Sequence, residues 1–167
     1  GDVTIGTVMG HEESKVLITA GGTLGAKNDR QALAIKSVTV LDYLENARIL
    51  AGYQFINEGS YPTLVGVNPD VQIGKVEVGT AGVEPSLIWI NGDVIAGAEA
   101  GLDGYYGDGT DRLIDGSAGT KVISKIAKVI INGVAANFQS GSSGIVAEHV
   151  VSVKVFGEEV QLKNGAR

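Results

Sequence analysis

The residues best suited to chemistry lie in one stretch, Gly101-Leu102-Asp103-Gly104-Tyr105-Tyr106-Gly107-Asp108-Gly109-Thr110-Asp111-Arg112-Leu113-Ile114-Asp115-Gly116. Asp103, Asp108, Asp111 and Asp115 supply carboxylates, and the glycines between them let backbone carbonyls turn inward. An all-oxygen donor set of this kind suits Ca²⁺. An EF-hand is excluded, because the 1, 3, 5 ligand spacing and the distal glutamate are missing. The plainer alternative, an Asp/Gly-rich solvated turn without metal, stays open.

A catalytic constellation is harder to assemble. His11 precedes Glu12-Glu13 without the second histidine of H-E-x-x-H, and His149 follows Glu148 just ahead of a strand pattern. Gly141-Ser142-Ser143-Gly144 lacks the spacing of a G-x-S-x-G nucleophile elbow and reads as a turn. Lys75 has no phosphate loop before it, since the first glycine of G-x-x-x-x-G-K falls on Pro69. With two histidines in the chain, no nucleophile, base and orienting group come together. The expectation is a protein that is not an enzyme.

The elements that must carry the Asp-rich stretch are announced by an internal repeat. Four segments share the pattern aliphatic, any residue, Lys or Ser, Val, any residue, aliphatic: they centre on Val38, Val76, Val129 and Val153. A second pattern ends in glycine and alternates with the first: Ile18-Thr19-Ala20-Gly21, Ile49-Leu50-Ala51-Gly52, Val94-Ile95-Ala96-Gly97 and Phe138-Gln139-Ser140-Gly141. Each reads as a strand with one apolar face, and the closing glycine as a corner where a Cβ would clash or φ must turn positive. Residues 53 to 70 and 97 to 120 read as loops inserted at a corner, the usual place for a binding face. Residues 41 to 50 and 122 to 134 also fit a helical stripe, the strand reading being preferred at 122 to 134 for its β-branched residues.

Composition agrees with strands joined by tight turns: 25 of the 167 residues are glycine, about double the ordinary usage of roughly 7%. The chain has no cysteine, so disulfides and thiolate metal sites are excluded. A net charge of -6 offers no basic patch for nucleic acid, and no apolar run reaches the length of a membrane span. The fold expected is therefore all-β: an irregular, right-handed parallel β-solenoid of about four coils with inserted loops, one domain over residues 1 to 167. Gly1 opens no signal-peptide pattern, and the chain reads as a piece of a longer repetitive protein. The charged segment Glu158-Glu159 and residues 163 to 167 are expected to protect the last strand edge.

Residues 106 to 114 resemble one nonapeptide of the RTX, or hemolysin-type, calcium repeat, G-G-x-G-x-D-x-U-x. They match at Gly107, Gly109, Asp111 and Leu113 and depart at Tyr106, where the first glycine is expected. In that family calcium sits between turns donated by consecutive repeats, and this chain has one. The Gly-x-Asp-Gly inserts between Val-x-Val strands are also similar in style to long repetitive exoproteins of environmental bacteria. The resemblance implies a structural or adhesive module, extracellular or on the cell surface, whose loops contact a protein or polysaccharide surface and bind calcium weakly. Two alternatives stand beside it. One is a carbohydrate-binding or polysaccharide lyase-like fragment, with Arg112 as the nearby basic residue beside the aspartates and Tyr53, Tyr61, Trp89, Tyr105 and Tyr106 as aromatic platforms. The other is a fibre or sheath subunit that associates with itself through its end coils.

Overall fold

The computed structural model describes residues 1–57, 61–83, 86–116, 122–136 and 143–162. The chain runs through β1 (Asp2–Ile5), β2 (Val8–Met9) and β3 (Val16–Ala20), a single helical turn α1 (Asp29–Ala32), β4 (Leu33–Val40) and β5 (Leu44–Ala51). A hairpin, β6 (Tyr53–Asn57) and β7 (Pro62–Gly66), leads to β8 (Gln72–Val78) and β9 (Leu87–Ala96), and a short pair follows, β10 (Ala98–Glu99) and β11 (Arg112–Leu113). The last elements are β12 (Lys125–Ile131), β13 (Val134–Ala136), β14 (Ile145–Val146), β15 (His149–Val150), β16 (Val153–Val155) and β17 (Glu158–Glu159).

Two large sheets hold the core. The first has the order β1-β4-β8-β12-β16-β17, with β15 also on β12; the second places β2 and β3 on β5, then β9, with β13 and β14 on its far side. The repeat sets the register of the first sheet: Val3, Val38, Val76, Val129 and Val153 form one row across parallel strands. In the second, Ile18, Ile49, Val94 and Ile145 form another. Side chains from both sheets meet in one cluster that includes Val38, Val76, Ile126 and Val129 from the first and Leu44, Ile49, Trp89 and Val94 from the second.

The expected right-handed parallel β-solenoid is overturned by this topology. The described residues form four separate sheets with mixed pairing: β16–β17, β6–β7 and β10–β11 are antiparallel. Among the described residues the third parallel wall of a triangular coil is missing, because the chain leaving β5 and β9 doubles back on itself. Glycine makes this possible at Gly52 and Gly97, where φ is +93° and +63° and a Cβ would lie 2.3 Å from the Asn68 carbonyl oxygen and 2.1 Å from that of Pro69. After β3 the positive φ falls on Gly22 and not on Gly21; Phe138-Gln139-Ser140-Gly141 lies outside the described residues.

Residues 41 to 50 form no helix, since Leu44–Ala51 is β5, and 125 to 131 lie in β12. The helical look has a local cause. Asn46 and Asn91 adopt φ of +45° and +50°, which shifts the alternation by one, so that Leu44 and Ala47 both face the core. Asparagine is among the few residues that visit this conformation, and here the two amides are held from neighbouring strands: Asn91 Nδ2 donates to Asn46 Oδ1 at 3.0 Å, and Asn46 Nδ2 to the Gly10 carbonyl at 3.2 Å.

Candidate functional site

The Asp-rich stretch is mounted on the outer face of the second sheet. Along β5 and β9, Ile49, Ala51, Val94 and Ala96 face the main core, so Arg48, Leu50, Asp93 and Ile95 face the other way. Register places Arg48 beside Asp93 and Leu50 beside Ile95, with Val146 next in that row. A second apolar cluster covers them, formed by Leu50, Ile95 and Ala98 with Tyr53, Tyr106 and Ile114 from the two inserted segments. The insert is thus more than a surface loop: Tyr106 and Ile114 are 5% and 3% exposed.

Polar contacts fix the insert at its centre. Asp93, buried, accepts from Lys15 Nζ and Arg48 Nε at 3.0 Å each through Oδ2, and from the Gly144 amide at 3.0 Å through Oδ1. The Arg48 guanidinium lies 5.4 Å from the centre of the Tyr106 ring and donates to the Gly104 carbonyl at 3.4 Å. The Tyr53 hydroxyl donates to the Ala98 carbonyl and shares a 2.9 Å hydrogen bond with the Tyr106 hydroxyl. Burial pushes both phenols above their ordinary range.

Three of the four expected aspartates come together and one does not. Asp108 Oδ1 accepts from the Thr110 amide and hydroxyl at 2.8 Å each, and the same hydroxyl lies 3.5 Å from Asp103 Oδ1. Asp103 Oδ1 also accepts from the Tyr105 amide, and Asp111 Oδ2 from the Gly107 amide at 2.7 Å. These bonds use the carboxylates as caps for the glycine turns. A hydrogen bond shared with Asp103, and then those from Thr110, hold Asp108 below the usual carboxylate range. Burial raises Asp111, and the charges of Asp108, Asp103 and Asp93 add to the rise. Asp115 is exposed and does not enter this set.

No protein-family model, curated protein or solved structure matches this chain.

The donors fit calcium in kind, being hard oxygens, but not yet in arrangement: among the described residues no group of three or more His, Asp or Glu is placed to hold a metal ion. One carboxylate atom does lack a partner, Asp111 Oδ1, which is buried. The remaining candidates are accounted for separately. His11 Nδ1 accepts from the Glu13 amide, His149 sits in β15, and Lys75 pairs with Glu77 at 2.8 Å. Arg112 pairs with Glu99 across β10 and β11 at 3.2 Å. Of the aromatic platforms, Trp89, Tyr53 and Tyr106 are buried, whereas Tyr61 and Tyr105 are exposed. Gly141 and Ser142 lie outside the described residues. Among those described, no helix is long and apolar enough to cross a membrane.

Sequence reasoning missed the Arg48–Asp93 anchor. Its only signal was a charge of each sign at the same place in two aligned repeats, Arg48-Ile49-Leu50-Ala51 and Asp93-Val94-Ile95-Ala96.

Proposed function

We propose that this chain is a non-catalytic structural or adhesive module of a secreted or cell-surface bacterial protein. The stacked sheets act as a rigid spacer, and the inserted segments make contact with a protein or polysaccharide surface. One observation carries the reading: both inserts are pinned to the same sheet face by buried contacts, yet they leave Phe55, Tyr61, Leu102 and Tyr105 exposed. Exposed aromatic and aliphatic side chains on a fixed backbone recognise surfaces at low entropic cost. Binding of the immobilised protein to panels of glycans and surface proteins tests this. Tyr61→Ala with Tyr105→Ala should abolish any binding found, whereas Lys128→Ala on the opposite sheet should leave it intact. Equal loss in both variants would overturn the assignment of the contact face.

Head-to-tail assembly into a fibre is favoured less, because β17 lies antiparallel on β16 at the edge where a second copy would stack. With the scaffold reading we propose weak calcium binding by Asp103, Asp108 and Asp111. Support comes from the approach of Asp103 and Asp108 to the same Thr110 hydroxyl, from the nearness of both charges to Asp111 and from the unpartnered Asp111 oxygen. Since the carboxylates already cap turns, binding requires the loop to rearrange, and a dissociation constant of about 10⁻⁴ to 10⁻³ M is expected.

A further inference from the structure

The inserts leave from the ends of β5 and β9; the starts of the same strands border a small cleft, and we propose that it takes a lysine side chain presented by a partner protein. Three stacked connections build it: residues 41 to 43 between β4 and β5, 79 to 86 between β8 and β9, and Asn132 after β12. Backbone bonds hold them together, from the Gly79 amide to the Val40 carbonyl at 2.9 Å, from Asn132 to Val78 at 2.8 Å and from Val134 to Ser86 at 2.8 Å. Side chains tie them further. The Thr80 hydroxyl donates to the Leu41 carbonyl at 3.2 Å, and Asn132 Nδ2 donates to the Gly79 carbonyl at 2.9 Å and to Glu77 Oε1 at 3.3 Å. Gly79, with φ of +81°, has no room for a side chain, since a Cβ would lie 2.4 Å from Ile88 Cδ1. The cleft is therefore preformed, and a ligand need not order it.

Its chemistry selects a cation on an aliphatic stem. Leu41, Tyr43, Val83, Leu87 and Ile88 supply apolar walls, and Asp42 is the one charged residue among the described residues that line it. Asp42 is exposed, and among the described residues no lysine, arginine or histidine pairs with it. A lysine can bury its methylenes against such walls while its ammonium stays in water beside the carboxylate. Asp42 Oδ2 already accepts from the Thr7 hydroxyl at 3.0 Å. One free oxygen suits the point charge of an ammonium better than the fork of a guanidinium, which uses two. The volume, about 210 Å³, is below the roughly 300 to 1,000 Å³ of pockets that bury a whole small molecule, so it fits one side chain. Leu41, Val83 and Leu87 are exposed at the cleft, and Val134, also exposed, lies beside Leu87 in the register. A free amine would leave this apolar rim in water, whereas the residues flanking a partner's lysine cover it. The site is separate from the contact face of the inserts and does not depend on it.

A peptide titration of the intact chain, followed by amide NMR shifts, tests the proposal. Acetyl-Val-Lys-Val-amide should shift the Gly79, Thr80 and Asn132 amides saturably and leave Gly104 and Gly107 of the insert unmoved. The same peptide with norleucine, which keeps the stem and loses the charge, should bind about tenfold more weakly, the change expected of one charge-assisted hydrogen bond. Asp42→Asn should bind the two peptides alike; if that variant does not fold, the wild-type preference decides. Butylammonium alone should bind more weakly than the lysine peptide. Equal binding of the lysine and norleucine peptides by the wild type would overturn the proposal, as would a lysine preference that survives Asp42→Asn or the absence of any saturable shift. Butylammonium binding as tightly as the peptide would make this a site for free amines, and tighter binding of the arginine peptide a guanidinium site; either result overturns it as well.

Discussion

Replacing Asp93 by alanine should destabilise the protein more than any change at an exposed ion pair. The carboxylate is 2% exposed and takes hydrogen bonds from Lys15, Arg48 and the Gly144 amide. Asp93→Ala removes the acceptor from all three at once, and breaking a buried pair of this kind costs about 3 to 5 kcal/mol. Lys15 and Arg48 keep 16% and 28% side-chain exposure, so part of their charge can be rehydrated. The lower end, about 3 kcal/mol, is therefore expected. In a chain of this size that corresponds to a fall in melting temperature of about 6 to 12 °C. Urea unfolding followed by fluorescence of Trp89, which is fully buried, measures the loss. Lys36→Ala is the control: its pair with Asp2 is exposed on both sides and is worth about 0 to 1 kcal/mol. If the two variants lost the same stability, the buried anchor would not be holding the insert and the reasoning would fail.

Three further outcomes follow from the same structure. Val76→Asp places a charge in the middle of the valine row and should cost more than about 4 kcal/mol, read as loss of cooperative unfolding or of soluble folded protein. Deleting residues 99 to 117 with a glycine closure should cost about 3 to 6 kcal/mol for the burial of Tyr106 and Ile114 and should raise binding of a hydrophobic dye; unchanged stability would mean that the insert covers nothing. Asp111→Asn separates the pH and metal terms: burial raises the folded-state pKa, so protonation of Asp111 favours the fold below its ordinary value of 3.8, and that benefit is lost as pH rises through the raised value. Without calcium at neutral pH the variant should be at least as stable as the wild type, and the advantage should vanish near pH 3; in millimolar calcium only the wild type should gain, by about 1 to 2 kcal/mol, and equal gains in thermal melts would rule Asp111 out as a ligand.

The row of Val38, Val76, Val129 and Val153 was legible in the sequence, and so were Ile18, Ile49 and Val94 of the second sheet, because these segments recur with the same internal spacing; the fourth place there is taken by Ile145, which no repeat marked. What failed was the inference from a recurring strand to a three-walled coil. Nothing in a periodic pattern distinguishes a chain that continues into a third parallel strand from one that turns back as a hairpin. That choice is made at Gly52 and Gly97 by contacts with Asn68 and Pro69, which are remote in sequence from Gly97 in particular. The helical alternative at residues 41 to 50 arose from a similar gap: a strand kinked at an asparagine with positive φ puts apolar residues three apart. Acidic residue types in a glycine loop marked a segment that the structure seats on the outer face of the second sheet. Their count overstated the cluster, since Asp115 stands apart, and the cations that hold the segment came from other elements.

The uneven spacing of the repeats now has a structural cause. The hairpin β6–β7 and the 98 to 114 insert both leave from the corner after a glycine-closed strand, and both fold over the outer face of that sheet. The strands beneath are therefore buried on two sides, and a strand buried on both faces must read as a continuous apolar run and not as an alternation. Ile49-Leu50-Ala51 and Val94-Ile95-Ala96 are such runs. In the first sheet the matching strands alternate, as in Ser37-Val38-Thr39-Val40 and Lys75-Val76-Glu77-Val78, because their outer face meets water: Lys75 and Lys128 are neighbours there, and Lys75 keeps 42% exposure. The inserts thus serve as a third layer of the fold. An apolar outer row such as Leu50-Ile95-Val146 requires something to cover it, and the residues that do so, Tyr106 and Ile114, lie in the same segment as Asp103, Asp108 and Asp115, which are exposed.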